Sequence, residues 1–366
     1  MVSQLITELD VSVERLGTVL APSGRADQRL GVLNPACVRA RDGSLLLYPR
    51  EVARGNVSRI GIARAIPNGD CRFESLGCAL EPAAPYELRR QSGGYGCEDP
   101  RATFIEAIGR YVMAYTAFGP DGPRIAVATS KDGLQWERAG VLRFTRPGMH
   151  VGDDKDAAFF PAPVRSPAGV LSLAFYHRPM LHLSAVDGRA AVPLIEQMPY
   201  EDRESIRIGY IPLEPLLKDG AQLTDVAESV LVMSPDAQWG SLKVGAGTPP
   251  VRIAEGWMSL YHGVDVASAA RAEPRFRYSA GIVIHDIDDP RIIRYRSPQP
   301  VLVPQTKAER KGIVANVVFP TGIDPRPELG ERTFDVYYGM ADYQIGLMRM
   351  TLGASSRGVE PAESAA

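Results

Sequence analysis

The chain has 366 residues, of which 45% are hydrophobic and 23% charged, with a net charge of −2. That length allows a large buried core, and the near balance of charge gives no electrostatic basis for partnership with nucleic acid or an anionic membrane surface. No apolar run is long enough for a bilayer, the N-terminus MVSQLITELDVSVERLG lacks the pattern of a secretory leader, and Cys37, Cys71, Cys78 and Cys97 lack CxxC spacing, so a cytoplasmic protein with free thiols and no metal site is expected.

Along the chain, 35 glycines and 30 prolines are spread rather than massed in a linker, which predicts many short strands joined by turns. One phrase recurs: a proline, an apolar strand, a Gly-containing turn and a second strand bearing an aromatic. Its copies are NPACVRARDGSLLLYPR from Asn34, DPRATFIEAIGRYVMAYTAF from Asp99 and FPAPVRSPAGVLSLAFYHRP from Phe160. Two more are TPPVRIAEGWMSLYHGVD from Thr248 and FPTGIDPRPELGERTFDVYYGMAD from Phe319. Several continue into a third alternating strand, as in SRIGIARA from Ser58 and PRIAVATS from Pro123.

Strands of period two repeating at this interval predict an all-β, five-bladed β-propeller with a central funnel-shaped active site. The expected organisation is an N-terminal arm at 1–30, one propeller domain at 31–354 and a flexible C-terminal tail at 355–366. A β-sandwich or a two-domain all-β protein is the rival architecture. EPLLKDGAQLTDVAESV, near Glu214, reads at best as a short helical excursion.

In a propeller the strand ends face one another across the funnel. Those ends carry Asn34, Arg50, Asp99, Lys155 with Asp156, His177 with Arg178, Lys243, His262, Asn316 and Asp342. In GCEDPRATF, Glu98 and Asp99 precede a proline, and acids there are more often turn residues than catalysts. The other copies place Asn, Phe or Thr at the Asp99 position, so a carboxyl unique to one blade is a candidate general acid. Lys155, Arg178, His262 and Lys243 form a cationic group suited to an oxyanion. Trp239, Trp257, Tyr261 and Tyr338 could stack on a sugar ring, though each reads more readily as a core or rim aromatic. GAGTPP at 245–250 lacks the lysine, serine and helix of a phosphate loop.

These residues resemble glycoside hydrolase family 130, five-bladed propeller enzymes acting on β-mannosides. The resemblance is carried by NPA at Asn34, SRIGIA at Ser58, GCEDPR at Gly96, DKDAAFFP at Asp154 and YHRP at Tyr176. It continues through WGSLKVGAGTPPV at Trp239, GWMSLYHGV at Gly256, ERKGIVANVVFPTG at Glu309 and YYGMAD at Tyr337. The resemblance implies Asp99 as proton donor, passing its proton through a sugar hydroxyl, and Lys155, Arg178 and His262 as phosphate ligands. Asn34, Ser58, Arg59, Lys243 and Asp342 resemble the residues holding the mannosyl ring, and Arg50, Glu98, Asp156, His177 and Tyr261 are grouped with them as substrate contacts.

The resemblance thus implies an inverting β-mannoside phosphorylase that cleaves short mannosides with inorganic phosphate as co-substrate, gives α-mannose 1-phosphate and needs no other cofactor. Phosphate is already an anionic nucleophile, so no carboxylate base is required, unlike in an inverting hydrolase. Two features depart from the family pattern: Pro49 separates Tyr48 from Arg50, and EQMPYEDRESIRIGYIP from Glu196 is acid-rich. Glu201, Asp202 or Glu204 could serve as base in the alternative, an inverting β-mannoside hydrolase. A non-catalytic carbohydrate-binding propeller is the third reading. An exposed rim or terminal arm could mediate self-assembly.

Overall fold

The computed structural model describes residues 5–67, 71–90, 93–146, 149, 152–181, 192–268 and 275–357. The chain is all-β, mostly strands with few helices. Among the described residues the α-helices are the short segments Val192–Gln197, Leu213–Lys218 and Lys307–Arg310.

Among the described residues, five antiparallel four-stranded paths follow one another. The first unit comprises Gly31–Arg39, Leu45–Ala53, Val57–Ala65 and Phe73–Leu80, and the second Tyr95–Ile105, Arg110–Gly119, Gly122–Ser130 and Glu137–Val141. A short parallel pairing, Val57 with Tyr95 and Ser58 with Gly96, joins these two into one larger sheet. The third unit is Asp154–Phe159, Leu171–Pro179, Ile206–Pro212 and Glu228–Met233, and the fourth Lys243–Ala246, Gly256–Ser268, Arg275–His285 and Ile293–Arg296. The fifth takes Val318–Pro325, Thr333–Met340 and Gln344–Arg357 from the end of the chain and Ile6–Leu20 from its start. The expected arm at 1–30 therefore contains a paired strand, with Val13 opposite Met350. Of the expected tail, 355–357 lie in the last strand and 358–366 fall outside the described residues.

Apolar alternation places the cores within and between these sheets. Tyr48, Met113 and Tyr115 share one buried cluster, Phe159, Phe175 and Leu173 another, and Met258, Val336 and Met348 a third.

The first strands carry a repeated defect that builds the site. In the first unit Leu33 pairs with Arg50 and the next paired residue, Ala36, meets Tyr48; in the second, Glu98 pairs with Thr116 and Arg101 with Ala114. In the third, Lys155 pairs with Arg178 and Ala158 with Tyr176. Each is a bulge with two residues facing one. Its first residue is left-handed each time: Asn34 at φ 44°, Asp99 at φ 46° and Asp156 at φ 61°. Asn and Asp tolerate that conformation better than other side-chain-bearing residues, which accounts for their recurrence there.

Two buried glutamates fasten the connections that enter the second and fifth units. Glu87 accepts hydrogen bonds from Ala83 N (2.8 Å), Ala84 N (3.0 Å), Tyr115 Oη (2.6 Å) and Arg138 Nε (2.7 Å). Glu309 accepts from Gln305 N and Thr306 N (both 2.8 Å), Tyr338 Oη (2.9 Å) and Arg15 Nε (2.8 Å). Both carboxylates are fully buried. Arg15, on the N-terminal strand, does for the fifth unit what Arg138, on the fourth strand, does for the second. Burial alone would raise both acids, but these donors hold them below the ordinary glutamate value.

Candidate active site

A cavity of about 210 Å³ opens where the first strands meet. Asp99, Asn34, Arg50 and Asp342 line one part of it, and Lys155, Asp156, Arg178, Lys243 and His262 another. Nine sequence-predicted positions thus reach one wall or the other.

On the acid wall, Asn34 Nδ2 donates to Asp99 Oδ1 at 2.9 Å and Arg50 Nη1 donates to the same oxygen at 3.1 Å. Among the described residues, both of these side-chain donors to the carboxylate go to Oδ1. Arg50 also donates to Glu98 Oε1 (2.8 Å) and through Nε to Ser58 Oγ (3.0 Å). Arg101 is fully buried and bonds the backbone carbonyl of Asp99 at 2.8 Å rather than its carboxylate. Burial pushes the Asp99 carboxyl up, but Arg50, Arg101, Lys155 and the Asn34 amide outweigh it and hold it below the usual aspartate value. Asp342 goes the other way: burial and the neighbouring Asp99 charge push it up to about 6.

On the cationic wall, Asp156 is the organising group. Arg178 Nε donates to its Oδ2 at 2.7 Å, Arg101 Nη2 approaches Oδ1 at 3.4 Å and His262 Nε2 lies 3.6 Å from Oδ2. Burial pushes His262 down to about 3, so the imidazole is neutral at physiological pH. Its ring packs 4.5 Å from Phe319, and Nδ1 is buried without a hydrogen-bond partner among the described residues. Gly245 permits this approach: a Cβ there would lie 2.3 Å from Asp156 Oδ2 and 2.4 Å from His262 Cε1. Its role is close packing, consistent with the absence of a phosphate-loop pattern. Lys155 Nζ reaches across to Glu98 Oε2 at 3.4 Å and ties the two walls together.

The other predicted positions are not brought to the cavity, and strand alternation gives the reason. Where Arg178 faces the cavity, His177 points to the other side of the same strand. There its Nδ1 lies 2.7 Å from Asp154 Oδ2 and its Nε2 2.8 Å from Ser229 Oγ. Where His262 faces in, Tyr261 stacks on Trp239 with centroids 5.0 Å apart. Where Ser58 faces Arg50, Arg59 turns outward to pair with Glu81. Glu98 and Ser58 stand behind Arg50 rather than on the wall. At the third bulge neighbouring residues, Lys155 and Asp156, both contribute, because the extra residue breaks the alternation.

Sequence reasoning missed Met180, Tyr278, Val314, Val317 and Phe319 on the cavity lining. Phe319 was legible as the residue before a repeat proline, but its orientation was not. Of the acidic segment, Glu201 and Asp202 are exposed, whereas Glu204 reaches Arg178 Nη1 and Lys243 Nζ.

A family model described as beta-1,4-mannooligosaccharide phosphorylase matches residues 18–354. The chain belongs to glycoside hydrolase family 130. Within that family it is 30% identical over 339 residues to a 1,2-beta-oligomannan phosphorylase of Thermoanaerobacter sp. (strain X514), covering 90% of this chain and 93% of the relative. It is 36% identical over 121 residues to a beta-1,4-mannooligosaccharide phosphorylase of Ruminococcus albus, covering 33% of this chain and 34% of that one. In fold it is similar to the beta-1,2-mannobiose phosphorylase of Listeria innocua solved with beta-1,2-mannobiose. That match has a TM-score of 0.67 and 21% identity, and covers 93% of this chain and 97% of the other.

Proposed function

We propose that this family 130 protein is an inverting β-mannoside phosphorylase, cleaving short β-mannosides with inorganic phosphate to give α-mannose 1-phosphate. The observation that carries the reading is one cavity lined both by Asp99 and by Arg178, His262 and Lys155. The names of its relatives support the same activity. Asp99 is the proton donor through Oδ2, by way of a sugar hydroxyl, and phosphate held on the cationic wall attacks the anomeric carbon from the opposite face. Asp99 is held ionised in the free protein. Phosphate, by offsetting Lys155 and its neighbours, raises the Asp99 carboxyl toward the protonated state the reaction needs.

The five units fit a five-bladed propeller closed by the N-terminal strand, with the cavity at its axis. Val314 also borders a wider groove of about 770 Å³ beside Arg310 and Lys311, which suits a substrate of more than one sugar. A cytoplasmic site of action accords with the four free cysteines. The hydrolytic alternative is not favoured: of the three acids in the 196–212 segment offered as a base, Glu204 alone reaches the cationic residues, and it has Oε2 against Arg178 and Oε1 accepting from Leu181 N at 3.3 Å.

The test is turnover of β-1,2- and β-1,4-mannobiose with and without inorganic phosphate. Release of a sugar phosphate only when phosphate is present is expected. Equal turnover in phosphate-free buffer would overturn the reading.

A further inference from the structure

We propose that Glu204 is a built-in counter-anion of the phosphate site, which phosphate displaces from Arg178, so that this residue sets how tightly the enzyme takes its nucleophile. The inference rests on the phosphorylase reading above.

Glu204 comes from the segment before Ile206–Pro212, not from the first and second strands that carry Asp99, Asp156, Arg178 and His262. Its backbone is fixed: its carbonyl accepts from Val244 N at 3.1 Å, and Glu204 bridges to Lys243 in parallel. The side chain is therefore delivered to the cationic wall by the main chain. Its Oε2 bonds Arg178 Nη1 and lies 4.0 Å from Lys243 Nζ, while Oε1 accepts from Leu181 N.

Arg178 is itself buried and already gives Nε to Asp156. Nη1 is thus the arm that Glu204 holds, and it is an arm an incoming phosphate oxygen would seek. A phosphate anion and the Glu204 carboxylate cannot both sit on Nη1 without strong repulsion in a buried setting. Lys243 Nζ stands ready to retain the carboxylate once it leaves Arg178.

This arrangement also explains why the residue is a poor base. Burial would raise its carboxyl, but Arg178 and Lys243 outweigh that and hold it below the ordinary glutamate value. A carboxylate that is weakly basic and has both oxygens engaged neutralises cations well and activates water badly.

The experiment compares wild type with Glu204→Gln, which keeps the shape and removes the charge. The KM for inorganic phosphate is expected to fall roughly tenfold, the change expected when one charged hydrogen bond no longer competes. An unchanged or higher KM overturns the proposal. Inorganic phosphate at a fixed concentration should also raise the melting temperature of the variant more than that of wild type. An equal or smaller rise overturns it. Because melting needs no turnover, this arm still decides the role of Glu204 if mannosides prove not to be cleaved with phosphate, a result that would sink only the phosphorylase reading. If Glu204→Gln does not fold, Glu204→Asp withdraws the carboxylate by one methylene and is expected to move both readouts the same way; no movement overturns the idea. Loss of mannose release into phosphate-free buffer with an unchanged KM for phosphate would make Glu204 a base, and the proposal fails.

Discussion

The acidic group of the cavity comes chiefly from the first two units and the cationic group from the third and fourth, and the two are prepared for their ligands differently. On the acid wall, Asn34 and Arg50 both grip Asp99 Oδ1, so the carboxylate is oriented before any sugar arrives. On the cationic wall, Arg178 is already matched by Asp156 and Glu204. The first wall is preorganised and the second is neutralised in advance. Orientation costs nothing at the moment of reaction, whereas a paired cation must exchange partners to bind an anion. On the proposed reading, the comparison teaches that proton donation is fixed by geometry and nucleophile capture by competition.

The largest expected effect comes from the preorganised wall. Asp99→Asn preserves the left-handed backbone and the Asn34 contact region but removes the acid, and turnover of mannobiose with phosphate should fall on the order of 10³-fold. A loss of less than tenfold would mean that the donor lies elsewhere. Next, Arg178→Ala strips the cationic wall of its fork, and the KM for phosphate should rise at least about 100-fold in initial-rate assays. A KM that stays put would remove Arg178 from phosphate binding.

A smaller effect separates the site from its support. Glu309→Ala and Glu87→Ala each leave several buried donors without an acceptor and an arginine without its carboxylate, so each should lose about 3 kcal/mol in denaturant unfolding. They should part in activity. Glu309 O accepts from Val317 N at 3.0 Å, and Val314 and Val317 line the cavity, so only Glu309→Ala should raise the KM for mannoside. Equal activity in the two variants would show that the Glu309 connection does not position the site.

How much of this was legible in the sequence follows from the same physics. Period-two alternation and repeated prolines revealed the all-β character, and polar residues at strand ends pointed to Asp99, Asp156 and Asn34, although the repeat aligned Phe160 with Asp99 whereas the bulge falls at Asp156. Adjacent pairs could not be resolved. HisArg at 177–178, TyrHis at 261–262 and SerArg at 58–59 each offered two polar or aromatic candidates, and a strand aims only one of each at a given face. Which one depends on register, and register depends on bulges that depend in turn on tertiary pairing. Glu204 was legible as one of three acids in a loop, but its bridge to Lys243 is a long-range contact that no local pattern carries. The matching of Arg15 to Arg138 was hidden for a related reason, since one lies at the start of the chain and the other within it.

The smallest predicted effects are opposite in sign on the two walls. Asp342 is raised to about 6 by burial and Asp99, so the folded protein holds that proton more tightly than the unfolded chain. Its contribution to stability is full below about pH 4 and is lost as pH rises through 6. His262 is pushed down to about 3 by burial, so folding resists its protonation and stability is lost as pH falls below the usual 6.5. Melting curves from pH 4 to 7 should therefore show Asp342→Asn removing a loss that grows toward neutral pH and His262→Asn removing one that grows toward acid. Identical profiles in the two variants would erase the contrast between the walls.

The most direct measurement follows the first product formed from β-mannobiose by phosphorus and proton NMR. The account predicts a mannosyl phosphate of α configuration, appearing as inorganic phosphate is consumed and with no lag behind free mannose. Free mannose as the first product, at a rate indifferent to phosphate, would contradict it.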